Sequence, residues 1–159
     1  RHGLWNYISA HFSMIEKVVG NNYTNEPMAF LLEDSEIQEE IEPYIMARIV
    51  DFEEFIRQYP FDIISIHDDL HFIIDDPIME CNCGDFSLRW DAAGNTILER
   101  GGTRGETVRC DIQTLTAMFY GYKRPTYLKR VERLQANDTA VRILEDIIPI
   151  EQPYFSDYF

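Results

Sequence analysis

The side chains that could do chemistry fall into a few short stretches. His67-Asp68-Asp69-Leu70-His71 carries two histidines four apart, and on a helix that spacing puts both rings on one face, where they can hold zinc. Here the stretch follows a strand-like run and lacks the glutamate that metalloproteases place after the first histidine, so it reads as a solvated loop. Asp75 and Asp76 add charge but not the glycine and spacing of a calcium loop. Cys81-Asn82-Cys83-Gly84 offers a single Cys-x-Cys, which packing or a turn explains. Gly101-Gly102-Thr103-Arg104-Gly105 resembles a phosphate cradle but lacks the lysine and hydroxyl that close one, so it reads as a connection between strands. Asp34, Glu151 and Asp157 could meet a cationic group, and surface carboxylates are the simpler reading. No serine, histidine and acid set stands out, although one assembled in space would not show in sequence.

The elements that must position these residues follow from periodicity. Leu4, Trp5, Ile8, Phe12, Ile15 and Val19 recur every three or four residues, which predicts a helix from Arg1 to Val19 ended by Gly20. The stripe begins almost at once, as in a domain cut from a longer chain. Met28 to Leu32 predicts a short buried strand, and the acidic stretch with Pro43 places a boundary near residues 34 to 43. Beyond it, strands are expected at Tyr44 to Asp51, Ile63 to Ile66, Phe86 to Trp90, Thr96 to Arg100 and Thr107 to Cys110, with Ala93-Gly94-Asn95 as a hairpin turn. Asp51 caps a helix whose face is Phe52, Phe55, Ile56 and Tyr59.

Asp111 caps the next helix through the amide of Gln113 or Thr114. Its stripe is Leu115, Met118, Phe119 and Tyr122, and Gly121 is its left-handed stop. Pro125 opens a helix with Leu128, Val131 and Leu134 inward, and Asp138 caps a last one carrying Val141, Leu144 and Ile147 or Ile148. The fold class is therefore α+β, with a mostly antiparallel sheet of about five meandering strands and packed helices. The aromatic end, Tyr154-Phe155-Ser156-Asp157-Tyr158-Phe159, predicts a tail that docks into something, because exposed ends are normally polar.

Composition narrows the function. A net charge of −14 over 159 residues speaks against nucleic acid and would steer a cationic polyamine or aminosugar toward the molecule. No apolar run is long enough to span a membrane, and no secretory leader is visible. Three cysteines are too few for a disulfide framework and suit a reducing cytoplasm.

One resemblance gathers these elements. Ala47-Arg48-Ile49-Val50-Asp51-Phe52 with Phe55, then Gly84-Asp85-Phe86-Ser87-Leu88, Cys110-Asp111-Ile112 through Leu115, Tyr120-Gly121, Leu128, Arg133-Leu134 and a terminal Phe159 resemble, in that order, the Eis family of GNAT-related N-acetyltransferases. The resemblance implies that residues 1–36 are the tail of a GNAT-like domain and residues 37–159 a C-terminal sterol-carrier-protein-like domain. It implies an enzyme that transfers acetyl groups from acetyl-CoA to amines, which in some family members are aminoglycosides, with acetyl-CoA bound by an absent N-terminal domain and the fragment alone inactive. The carboxylate of Phe159, if that is the native terminus, carries over as the general base. Asp157 and Tyr158 would stand beside it as substrate contacts, and a homo-oligomer is implied. A terminal carboxylate is a weak base, with a reference pKa of about 3.3 to 3.7, and packing among Tyr154, Phe155 and Tyr158 would strengthen it.

Two other readings stay open. The sterol-carrier fold can enclose an apolar tunnel, which Phe72, Ile73, Ile74, Phe86, Leu88, Trp90, Leu115 and Phe119 could line, and the same residues would also make an ordinary core. The domain could also serve as an oligomerisation scaffold alone.

Overall fold

The computed structural model describes residues 2–22, 37–42, 45–62, 68–153 and 155. The chain divides into two compact units, residues 1–43 and 44–159. In the first, helix α1 covers His2–Ala10 and a 3-10 turn follows at Phe12–Met14. The predicted helix to Val19 is thus cut short. At His11 the backbone switches to a three-residue hydrogen bond with Ile8, while the ring takes up the Tyr7 carbonyl at 2.8 Å. Ile15 and Val19, the end of the stripe, are exposed, and short helices without packing are marginal. The expected strand at Met28 to Leu32 lies outside the described residues.

The second unit is a five-stranded sheet under helices. In chain order it holds α2 (Phe52–Gln58), β1 (Leu70–Asp75), a 3-10 turn (Glu80–Asn82), β2 (Gly84–Trp90), β3 (Thr96–Arg100), β4 (Glu106–Asp111), α3 (Ile112–Phe119), α4 (Pro125–Arg130), β5 (Gln135–Ala136) and α5 (Asp138–Ile147). The strand order is β3-β2-β1-β4-β5. Only β1 and β4 pair in parallel, with Phe72 opposite Val108, and the other three pairings are antiparallel. This is the expected α+β class with a mostly antiparallel sheet.

Two strand expectations are corrected. Residues 45–51 form no ladder. Their backbone groups are taken by side chains instead, with the Ile49 amide on Thr116 Oγ1 at 3.1 Å and the Val50 carbonyl on Asn82 Nδ2 at 3.0 Å, and a satisfied backbone needs no partner strand. Conversely, Leu70 and His71, read as loop, lie in β1 at the centre of the sheet. Leu70, Phe72 and Ile74 alternate into the core, while His71, Ile73 and Asp75 face the other side. The run Ile63 to Ile66, and His67 with it, lies outside the described residues.

The core is built as periodicity predicted, apart from the element ends. Phe52 of α2 meets Phe86 and Phe72 edge to face at 5.0 and 5.9 Å. Leu115 and Met118 of α3 are fully buried, each contributing about 1.5–3 kcal/mol by leaving water. Asp111 Oδ1 caps α3 by accepting the Thr114 amide at 2.7 Å. Gly121 takes φ +73° and reverses the chain, which turns Tyr122 out to solvent rather than into the stripe. Similarly, α4 stops at Arg130 and Glu132 adopts φ 60°, so Val131 is exposed while Leu134 swings into the core. The cap of α5 is Asn137, accepting from the Ala140 amide at 2.8 Å, and not Asp138, which pairs with Lys129 at 2.6 Å.

Candidate functional site

Two polar clusters stand out in the second unit, one around Asp76 near its start and one around Arg124 at the end of α5. At the outgoing end, Arg124 stands at the N-cap of α4, a position that Ser, Thr, Asp or Asn would normally fill. Its guanidinium reaches across to the end of α5 instead. Nη2 donates to the Glu145 carbonyl at 2.7 Å, and Nη1 to the carbonyls of Ile148 and Pro149 at 2.9 and 3.1 Å. Nε donates to Glu145 Oε2 at 2.7 Å. A cation at a helix C-terminus is also favoured by the helix dipole. Burial would push the Glu145 carboxyl up, but the Thr126 amide and hydroxyl and the Arg124 charge hold it below the usual carboxylate range.

Just beyond, the chain crosses Gly121 so closely that a β-carbon there would stand 2.1 Å from the Glu151 carbonyl oxygen. Only glycine satisfies both that approach and the positive φ. Beneath it, Tyr59 donates its hydroxyl to the Phe119 carbonyl at 2.7 Å. Burial raises the Tyr59 pKa to about 12 against the pull of Arg124, so the phenol stays a protonated donor. Arg124, Glu145 and Gly121 thus hold the backbone of residues 148–151 after α5.

At the incoming end, Asp76 is fully buried and ion-paired to Arg48 at 2.5 Å. Its Oδ1 also accepts the amides of Ile78 and Met79, each at 3.0 Å, and its Oδ2 accepts Asn82 Nδ2 at 2.8 Å. Burial alone would raise the Asp76 pKa, but the Asn82 donor, the two amides and Arg48 hold it well below the usual carboxylate range. Asn82 completes the hub by accepting the Phe52 amide at 2.9 Å.

The stretches singled out for chemistry turn out to be structural. His71 Nε2 lies 2.7 Å from Asp85 Oδ1 and its Nδ1 3.5 Å from Thr107 Oγ1, so it ties β2 and β4 across β1 while only 7% exposed. A carboxylate, imidazole and hydroxyl row is therefore assembled in space, but its hydroxyl contact sits at the limit of a hydrogen bond. Cys83 Sγ exchanges hydrogen bonds with the Asp76 backbone at 3.2 Å, and burial, then Asp111, pushes the Cys110 thiol up, so it stays protonated. Among the described residues no group of three or more His, Cys, Asp or Glu is placed to hold a metal. The 101–105 loop joins β3 to β4, strapped down by Ser87 on the Arg104 backbone and by Arg104 on Asp69 at 2.6 Å.

Phe72, Phe86, Leu88, Leu115 and Phe119 are at most 3% exposed and belong to one packed core. A cleft of about 460 Å³ opens beside Ile73 and Ile74, but Asp75, Arg109, Asp111 and Arg133 line it too, a wall for hydrated polar groups rather than an acyl chain. Asp34, Asp157, Tyr158 and Phe159 lie outside the described residues, and Glu151 is exposed. Sequence reasoning missed Arg124, Glu145, Asp76 and Asn82. The one available signal was an arginine before Pro125 where a capping residue was due.

Fold and junctions together define an α+β carrier-type domain with an incoming and an outgoing strap. A family model described as a sterol carrier protein domain matches residues 52–156, and this chain belongs to that family. A second model, an acetyltransferase (GNAT) domain, matches residues 1–49, so the two matches meet between Ile49 and Phe52. Among solved structures, the chain is similar to a probable N-acyltransferase from Enterococcus faecalis at 30% identity and a TM-score of 0.73, covering 86% of this chain and 34% of that one. It is also similar to a GCN5-related N-acetyltransferase from Anabaena variabilis at 27% identity and a TM-score of 0.58, covering 67% and 26%. Eis1 from Mycobacterium abscessus shares the fold at 17% identity and a TM-score of 0.67, covering 95% and 39%. The chain thus spans about a third or less of the first two of these relatives. No curated protein matches it at a significant level. Among the described residues no helix is long and apolar enough to cross a membrane.

Proposed function

We propose that the chain is the C-terminal part of an Eis-like N-acetyltransferase that acetylates amines, aminoglycosides among the candidate substrates. The observation that carries this is the succession within one chain of a GNAT match over residues 1–49 and a sterol-carrier match over residues 52–156. Residues 1–36 are then the end of a GNAT-like domain and 37–159 the carrier-type domain. The intact protein works as a cytoplasmic homo-oligomer, and the chain alone is inactive.

Acetyl-CoA, held by the absent N-terminal domain, supplies the acetyl group, and no residue of this chain is assigned to it. What this chain contributes is a base. Where Phe159 is the natural terminus, its carboxylate takes the proton from the amine, directly or through water, so that the neutral nitrogen can attack. Asp157 and Tyr158 hold the cationic substrate beside it, and the net charge of −14 draws such substrates in.

The test is an acetyl transfer assay of the intact protein against a panel of amines, with Phe159 deleted or followed by extra residues. Both changes are expected to lower turnover by about 10²–10⁴-fold, the range of general base catalysis. Unchanged turnover removes the role of the terminal carboxylate, and no transfer to any amine removes the enzyme reading.

A further inference from the structure

We propose that the exposed side of α4, with the turn before it, is an interface between copies of this chain, and that it takes the acidic stretch at residues 37–42 of a second copy. The proposal names a contact within the homo-oligomer of the function just given and rests on that reading. On a chain of net charge −14, five of the 14 lysines and arginines fall between residues 123 and 133, against one carboxylate, Glu132. Three of them are engaged inside the fold: Arg124 at the end of α5, Lys129 on Asp138 and Arg133 on Asp111. Among the described residues, Lys123 and Arg130 meet no carboxylate and lie over rings instead. The Lys123 ammonium stands 4.4 Å from the centre of the Tyr122 ring and 5.3 Å from that of Tyr127, and the Arg130 guanidinium stands 5.2 Å from Tyr127. That attraction keeps two long side chains gathered in one patch, still open to an anion. Tyr122, Tyr127 and Val131 are exposed around them.

The same chain holds a complement to this patch. Residues 33–42 carry six of the 28 carboxylates. In the described part, Glu39, Glu40 and Glu42 are interleaved with Ile37 and Ile41, all exposed and without regular structure. Among the described residues these glutamates have no cation partner either. They supply anions for Lys123 and Arg130, and Ile41 supplies an apolar group for Tyr127 and Val131. Between two copies the contact is reciprocal, since each patch takes the other's stretch, and a twofold pair makes it twice. Two bodies of charge −14 repel at long range, but physiological salt screens that field beyond about 8 Å, whereas pairs partly buried in a contact are screened much less. Nucleic acid would need more free cations than these two.

The experiment follows association of the intact protein by sedimentation over a range of concentrations. One variant reverses the patch, Lys123→Glu with Arg130→Glu, and another reverses the stretch, Glu39→Lys with Glu40→Lys and Glu42→Lys. None of these side chains is buried, so both variants should fold, which circular dichroism checks. Each alone is expected to weaken association at least about 10-fold, because like charges then face each other. A 1:1 mixture of the two should recover it, because every patch in a mixed pair again meets a stretch of opposite charge. Folded variants that associate within about twofold of the native protein overturn the interface. A mixture that fails to recover overturns it too, since the charges are then not paired between copies. Should a reversed variant not fold, Lys123→Gln with Arg130→Gln decides in its place: weakened association supports the interface and unchanged association overturns it. If the native protein is a monomer throughout, the oligomer of the functional reading and this interface fall together, while the acetyl transfer assay still decides the enzyme.

Discussion

An arginine holds the chain at the start of the carrier-type domain and another holds it after α5, yet the two arginines do different work. Arg48 meets a carboxylate with no exposed surface, and that carboxylate collects two amides and Asn82 as well. Arg124 meets mostly backbone carbonyls and a Glu145 side chain that is 27% exposed. When the outgoing arginine is lost, the carbonyls of the half-buried Glu145 and Pro149 can return to water, and only that of buried Ile148 stays unsatisfied. When a member of the incoming hub is lost, its partners stay buried and unsatisfied, which is the expensive case. The incoming junction should therefore govern folding and the outgoing one placement.

The largest effect on stability should come from breaking the hub at its centre. Asp76→Ala removes one partner of a buried ion pair and is expected to cost about 3 kcal/mol, the low end for such a change because Arg48 keeps some contact with water. Urea unfolding measures it. The pH dependence follows from the direction of the shift. Folding lowers the pKa from its unfolded value of about 3.9, so the unfolded state takes the proton first. The contribution is complete above about pH 5 and is lost as pH falls below about 4. Asp76→Ala should flatten that acid limb. A variant as stable as the native protein, with the acid limb unchanged, would erase the contrast between the junctions.

A smaller effect sharpens the same contrast. Thr116 donates to the Ile112 carbonyl at 2.8 Å and accepts the Ile49 amide at 3.1 Å. Thr116→Val keeps the shape and leaves that buried amide without an acceptor, at a cost of about 2 kcal/mol within the usual 1–3. Hydrogen exchange should localise the loss, with the Ile49 amide exchanging much faster while those of β1 and β4 keep their relative order. Uniform acceleration across the sheet would mean that the incoming segment is not held as a separate strap.

How far the sequence disclosed this arrangement differs between elements. Where one residue type does one job, the reading holds: Asp111 caps α3, Gly121 stops it, and Ala93-Gly94-Asn95 turns β2 into β3. It fails where a polar residue has a partner distant in the chain. His71 made the start of β1 look like loop, because nothing local shows that Asp85 and Thr107 flank the imidazole. The β-branched Ile45, Ile49 and Val50 suggested a strand, because nothing local shows Asn82 and Thr116 capturing their backbone. Asn82 itself was hidden inside a Cys-x-Cys that drew attention to its sulfurs. The family resemblance points to Phe159, which lies outside the described residues, and the tie at the end of α5 depends on contacts from Arg124 over 21 to 25 positions.

The finest distinction lies at Gly121, where backbone strain and steric displacement can be separated. Gly121→Ala suffers both, because its φ of +73° is costly for a residue with a β-carbon and that carbon would stand 2.1 Å from the Glu151 carbonyl. The strain is expected to cost about 1 kcal/mol, read as a lower unfolding midpoint. Asparagine tolerates the left-handed region far better than alanine but brings the same β-carbon, so Gly121→Asn should recover part of that stability and none of the tail's position. Cleavage of the tail by chymotrypsin should then be equally fast in both variants despite their different midpoints. If cleavage instead tracks the midpoint, the outgoing junction is only another piece of the fold, and the division of labour between the two arginines does not exist.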